Sequence, residues 1–225
     1  MLSSLQKENT NKVEKEDSGV KFKSLLLYFS ILAVPGYLIS QLPLPSDALS
    51  VSRGLIWFSY FMLITFSLKN VREFIIPLLR FNALKEPKSY VFILFTFAIP
   101  YFLLHLCLHF EVLLDKYFIF YFKNNMLPAG SLESTIRTVL LTPIWEEILF
   151  RGVILTILLR LIKPFWAISI TAILFGMIHP SGAWIFTFMA GFLLTFTVYK
   201  TKSLIPAIIA HSLWNLYMTQ LFLYF

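Results

Sequence analysis

Glu146 and Glu147 stand side by side in the apolar stretch TPIWEEILFRGVIL, and Arg151 follows one turn later. Further along, Phe175 and His179 lie four residues apart in ILFGMIHP, and His211 and Asn215 four apart in AIIAHSLWNLY. An ionisable group inside a bilayer costs about 2.5–3.5 kcal/mol on insertion scales, so three charged side chains so close together need a reason. On a helix Glu147 and Arg151 (i, i+4) share a face and can pair, whereas Glu146 points about 100° away. Glu146 is then left without a cationic partner. A carboxylate in that state, in a low-dielectric cavity, suits general-base work near neutral pH.

A neutralised Glu–Arg pair that only packs helices accounts for Glu147 and Arg151 but leaves Glu146 over. A single intramembrane histidine usually serves a helix–helix hydrogen bond. Two histidines, an asparagine and a leftover glutamate together are the parts for activating a water and stabilising an oxyanion. His179, His211 and Glu146 are equally a zinc set with one position open to water. None of the spacings is HExxH. His105 and His109 also have a metal-ligand spacing, with Glu111 nearby. They approach the outer end of an apolar run, where polar residues meet headgroups, and are read as structural.

The composition shows what must position these residues. Of 225 residues 58% are hydrophobic and 14% charged, against roughly 45–50% and about 25% in soluble domains. Mean hydropathy is +0.75. Disorder, a collagen-like chain, a disulfide scaffold and an ordinary soluble enzyme are excluded; a polytopic membrane protein remains. The net charge of +7 sits on loops between apolar runs and is read as setting topology, with no nucleic-acid partner. One cysteine, Cys107, allows no disulfide within the chain.

At about 20 residues per crossing, seven spans are expected, near 24–42, 52–68, 89–110, 138–161, 164–180, 182–199 and 203–224. Residues 1–23 read as a flexible, solvated cytoplasmic tail, not as a cleaved signal peptide. Pro43 and Pro45 end the first span, and a Pro180–Ser181–Gly182 turn joins the short fifth and sixth. Residues 71–84 read as one interfacial amphipathic helix, and 111–122 as another short interfacial piece. Trp57, Trp145, Trp166 and Trp184 fall near span ends, as an aromatic belt predicts. Of 19 Lys and Arg, fourteen fall on the side of the tail and four (Arg53, Lys116, Lys123, Arg137) on the other. That asymmetry predicts a cytoplasmic N-terminus and an outer C-terminus. In straight spans Glu146 and His179 lie toward the outer side and His211 about 12 Å from the inner end, so convergence requires tilted helices or shifted span ends.

Glu146-Glu147-x-x-x-Arg151, Phe175-x-x-x-His179 and His211-x-x-x-Asn215, in that order, resemble the CPBP family of intramembrane proteases. These are the CAAX-protease and bacteriocin-processing (Abi) proteins, related to the type II CAAX prenyl endopeptidase. The resemblance covers about residues 130–222. It implies an all-α, multi-pass transmembrane bundle with a polar intramembrane cavity, the helices of 24–129 preceding a catalytic core at 130–225. It further implies that Glu146 and His179 activate the attacking water, that His211 and Asn215 orient it or stabilise the oxyanion, and that Glu147 and Arg151, with Phe175, support them. The family is called metalloprotease, though a metal-free glutamate mechanism is also described for it, so zinc stays open as a cofactor. The implied substrate is a peptide or membrane-associated protein: a CAAX-type terminus, a pheromone, or a bacteriocin or leader precursor, met within the lipid bilayer of a bacterial plasma membrane. The alternative is a non-catalytic scaffold, immunity or sensor-modulating protein of the same family. An ion transporter is a remote third, since no repeated pair of broken helices is visible.

Overall fold

The computed structural model describes residues 23–34, 36–38, 41, 49–126, 132–179 and 184–219, and every regular element among them is helical. Residues 1–22 of the tail, Pro43, Pro45 and the Pro180–Gly182 turn lie outside the described residues, and Lys23 already belongs to the first helix. The chain divides into two compact units, Met1–Glu73 and Phe74–Phe225.

In the first unit, residues 23–34 form α1 and Leu49–Ser67 form α2, and α3 (Lys69–Ile75) begins there. Polar side chains on such apolar helices must satisfy one another. The Tyr28 and Thr65 hydroxyls do so, buried, at 2.9 Å, and Asn70 Nδ2 donates to Ser24 Oγ at 2.8 Å.

The second unit holds α4 (Pro87–Phe110), α5 (Lys116–Lys123), α6 (132–161), α7 (Pro164–Met177), α8 (Trp184–Thr201) and α9 (Ile205–Met218). Proline at the first turn starts α4, α7 and α9, where its missing N–H costs nothing. α4 stops at Glu111, which takes φ 54°. Asp115 caps α5, Oδ1 accepting from the N–H groups of Tyr117 at 2.8 Å and Phe118 at 3.3 Å. The exposed Glu111 carboxyl receives Lys123 Nζ at 2.7 Å, and this hydrogen bond holds it below the usual carboxylate range.

The single interfacial helix expected over 71–84 is instead broken. α3 ends at Ile75, and two 3-10 turns follow, Ile76–Leu78 and Phe81–Lys85. Pro77 removes an N–H that a continuing α-helix needs. The carbonyls released by the break are taken up by the turn between α8 and α9. Leu204 N–H donates to the Leu78 carbonyl at 2.8 Å, and Ser203 Oγ to that of Arg80 at 3.0 Å. The piece expected near 111–122 forms as α5, starting later, at Lys116.

Among the described residues, α4 and α8 are long and apolar enough to cross a membrane, with 24 and 18 residues. The bent pair Gly54–Ser67 and Lys69–Lys85 adds a third if it counts as one span. α7, with 14 residues, reaches about 21 Å at 1.5 Å per residue, short of a ~30 Å hydrocarbon core. Length and apolarity alone thus give two or three spans, fewer than the seven read from sequence.

α6 carries the paired glutamates and is not a uniform helix. Two π segments, Arg137–Leu141 and Ile148–Ile154, flank the α-helical Thr142–Glu147. Thr142 N–H bonds back to the Arg137 carbonyl and Leu155 N–H to that of Phe150, both five residues back. Pro143, one residue after the first wide turn, has no N–H to give to an ordinary α bond. Packing places α7 against α8, α4 against α8 and α9, and α9 against α6. A buried Thr96–Thr197 hydroxyl bond of 2.8 Å links α4 to α8.

Candidate active site

Arg151 is fully buried, and every bond it makes is to a neighbour that holds it in place. Nη1 donates to Glu147 Oε1 at 2.8 Å, Nε to Thr195 Oγ1 at 3.1 Å, and Nη2 to the Gly191 carbonyl at 3.0 Å. Its guanidinium lies 4.4 Å from the centre of the Phe175 ring, a cation–π contact. The i, i+4 pairing of Glu147 with Arg151 is therefore present, and α8 clamps it from the far side.

Glu147 does more than neutralise Arg151. The same Oε1 stands 2.9 Å from His211 Nδ1, a tie between residues 64 positions apart. With Nδ1–H donating to Glu147, the neutral ring carries its lone pair on Nε2. His211 Nε2 lies 3.7 Å from Glu146 Oε2. Glu146 is itself buried, and its Oε2 has no hydrogen-bond partner among the described residues.

Phe175 joins the two histidines. Its ring centre is 4.6 Å from that of His179 and 5.8 Å from that of His211. Its carbonyl meets His179 Nδ1 at 2.7 Å, which leaves His179 Nε2 as the acceptor nitrogen. Asn215 Nδ2 donates to the Thr138 carbonyl, in the first π segment, at 2.8 Å. Bonding five residues back leaves carbonyls in such a segment open to side chains.

A cavity of about 390 Å³ opens on this cluster, bounded by α4, the start of α5, α7, α8 and α9. Phe175, His179, His211 and Asn215 line it; Glu146 does not, and sits behind His211. Most of the lining is apolar, with Thr96, Asp115 and Thr187 the other polar members.

Residues 128–217 match the Rce1-like family model, described as type II CAAX prenyl endopeptidase Rce1-like. That is consistent with a protease of the CPBP family. No curated protein and no solved structure matches the chain. The matched segment runs from before α6 into the last turn of α9, and all seven residues singled out in the sequence fall inside it.

Within the matched segment the seven residues come together, around Phe175 and His211, from α6, from α7 and the turn just after it, and from α9. His105 and His109 lie outside it. His105 Nε2 is 2.6 Å from the Tyr217 hydroxyl, and Glu111 pairs with Lys123. Gly191 and Thr195 were not anticipated. A Cβ on Gly191 would stand 3.0 Å from Phe175 Cδ1 and 3.3 Å from the Ala172 carbonyl, so glycine is what lets α8 approach the site. The one signal in the sequence was a glycine followed by a threonine at i+4 in an apolar helix.

As a zinc site the cluster fits poorly. His179 and His211 each donate Nδ1–H to a protein oxygen and keep Nε2 open, as metal-ligating histidines do, but among the described residues no three His, Cys, Asp or Glu converge as a ligand set.

Proposed function

We propose that the protein is an intramembrane endopeptidase that hydrolyses a peptide bond in a membrane-associated protein or peptide, using a water activated by glutamate and histidine. The observation that carries this reading is Glu146: a buried carboxylate oxygen with no partner among the described residues, 3.7 Å from His211 Nε2 and next to a cavity. A buried unsatisfied carboxylate is costly and persists where chemistry needs it.

In this reading Glu146 takes a proton from water while the remaining O–H donates a hydrogen bond to His179 Nε2, which fixes the direction of attack. The water oxygen bonds to the scissile carbonyl carbon. His211 Nε2, its lone pair set by the Nδ1–H bond to Glu147, orients the water, and Asn215 donates its second amide N–H to the oxyanion, the first being held by the Thr138 carbonyl. Glu146 returns the proton to the nitrogen as the C–N bond breaks. Glu147, Arg151 and Phe175 are positioning residues. The substrate is a CAAX-type terminus, a pheromone, or a bacteriocin or leader precursor. The bundle of seven spans, with the tail in the cytoplasm of a bacterial cell, is part of the same proposal.

The test compares protein termini in membranes and medium from cells carrying wild type or Glu146→Gln at matched levels. Termini present only with wild type are expected and would name the substrate. Identical termini, with any phenotype rescued equally by both, would point instead to a non-catalytic scaffold or immunity role.

A further inference from the structure

Asp115 is far in sequence from the site residues, yet it lines the same cavity. It is the one acidic side chain in that lining among the described residues. Oδ1 is fixed by the N–H groups of Tyr117 and Phe118, which sets the orientation of the carboxylate and leaves Oδ2 free of that task. No ion pair to it is found among the described residues; Lys123, at the far end of α5, goes to Glu111. Asp115 is exposed, whereas Phe175 and His211 are buried and His179 is half-buried, so Asp115 marks the mouth and His211 the inner wall. Between them the wall is apolar, with Leu104, Phe186, Leu194 and Trp214. A negative charge fixed beside an apolar wall attracts a cation more strongly than one in open water.

We propose that the cavity takes an apolar peptide segment bearing a cationic group, with the cation set on Asp115 and the apolar residues along the wall leading to His179 and His211. This rests on the endopeptidase reading and adds a substrate class to it. The cation is the side chain of Lys or Arg, or the α-ammonium of the peptide. The size of the cavity, about 390 Å³, lies in the range of pockets that enclose small ligands.

The probes are octapeptides of Ala, Leu and Phe with one Lys at each position in turn, matched peptides with norleucine for Lys, and each with a free or acetylated N-terminus. Binding is measured by fluorescence anisotropy to full-length Glu146→Gln protein in lipid nanodiscs. Cationic members are expected to bind about three- to tenfold more tightly than neutral ones. Adding Asp115→Asn should abolish that preference and leave both the affinity for neutral peptides and the melting temperature unchanged, because Asn caps a helix as Asp does. Loss on norleucine replacement assigns the side chain; loss on acetylation assigns the α-ammonium. Equal binding, no binding, or a preference that survives Asp115→Asn overturns the proposal. Cleavage by wild type is assayed on the same peptides. No cleavage with the charge preference intact counts against the endopeptidase reading alone, and cleavage without the preference counts against the cation site alone.

Discussion

Removing the guanidinium of Arg151 leaves Glu147 buried beside His211 with no permanent cation, since Glu147 Oε1 is shared between Arg151 Nη1 and His211 Nδ1. Breaking one side of a buried pair costs about 3–5 kcal/mol, because the remaining charge keeps its desolvation penalty. Arg151→Ala should therefore lower membrane abundance and the melting temperature in detergent. Glu147→Ala should do the same, because it strands Arg151 and frees His211 to rotate. Glu146→Ala has the opposite profile: its Oε2 has no partner to lose among the described residues, so abundance should hold while activity goes. Quantitative blotting of the three variants together with a cleavage readout decides this. Equal abundance of Arg151→Ala and wild type would count against the pairing as a structural element. An abundance loss for Glu146→Ala as deep as for Glu147→Ala would count against the division of labour between the two glutamates.

At the scale of elements, the close approach of α8 to α7 rests on Gly191, whose added Cβ would lie 3.0 Å from the Phe175 ring. That ring is pinned between the Arg151 guanidinium and both histidines and has little room to yield. Gly191→Ala should cost about 1–3 kcal/mol as an overpacked site and reduce activity. Gly176→Ala meets its nearest atom at 3.3 Å and should cost less. Thermal melts of both variants give the order, and a larger loss at Gly176 would contradict it. Much of this arrangement was legible from spacing. The i, i+4 rule placed Glu147 on Arg151, and intramembrane polarity singled out His211 and Asn215. The Glu147–His211 tie was not legible, because it joins positions 64 apart and no periodicity reports such a contact. The π segments around Thr142–Glu147 were missed for a related reason. Apolar patterning looks alike at four and five residues per hydrogen bond, and only Pro143 hints at the change. The break at Pro77 is legible in the sequence, since proline inside an amphipathic pattern stops a helix, but the apolar periodicity runs through it over 71–84 and masks it.

For the whole molecule, the distribution of charge constrains more than helix length does. Two helices, or three with the bent pair, are long and apolar enough to span by themselves. Yet fourteen of the 19 Lys and Arg fall on one side if seven helices alternate, and four on the other. The two observations are compatible if α6, α7 and α9 cross as a packed group. A short helix is then screened by its neighbours, and the π segments of α6 keep their open carbonyls turned to protein groups such as Asn215 rather than to lipid. That arrangement also resolves the mismatch in depth, because a short or interrupted helix need not lie at the depth a straight span would give it. Cysteine accessibility tests it: with Cys107→Ala as background, Ser4→Cys reports the tail and Lys116→Cys reports the start of α5. With seven spans and the tail inside, an impermeant maleimide should label Lys116→Cys in intact cells, and Ser4→Cys only after permeabilisation. Labelling of both in intact cells, or of neither, would put tail and α5 on one side and require an even number of crossings between them. The positive residues would then have to be explained by something other than topology.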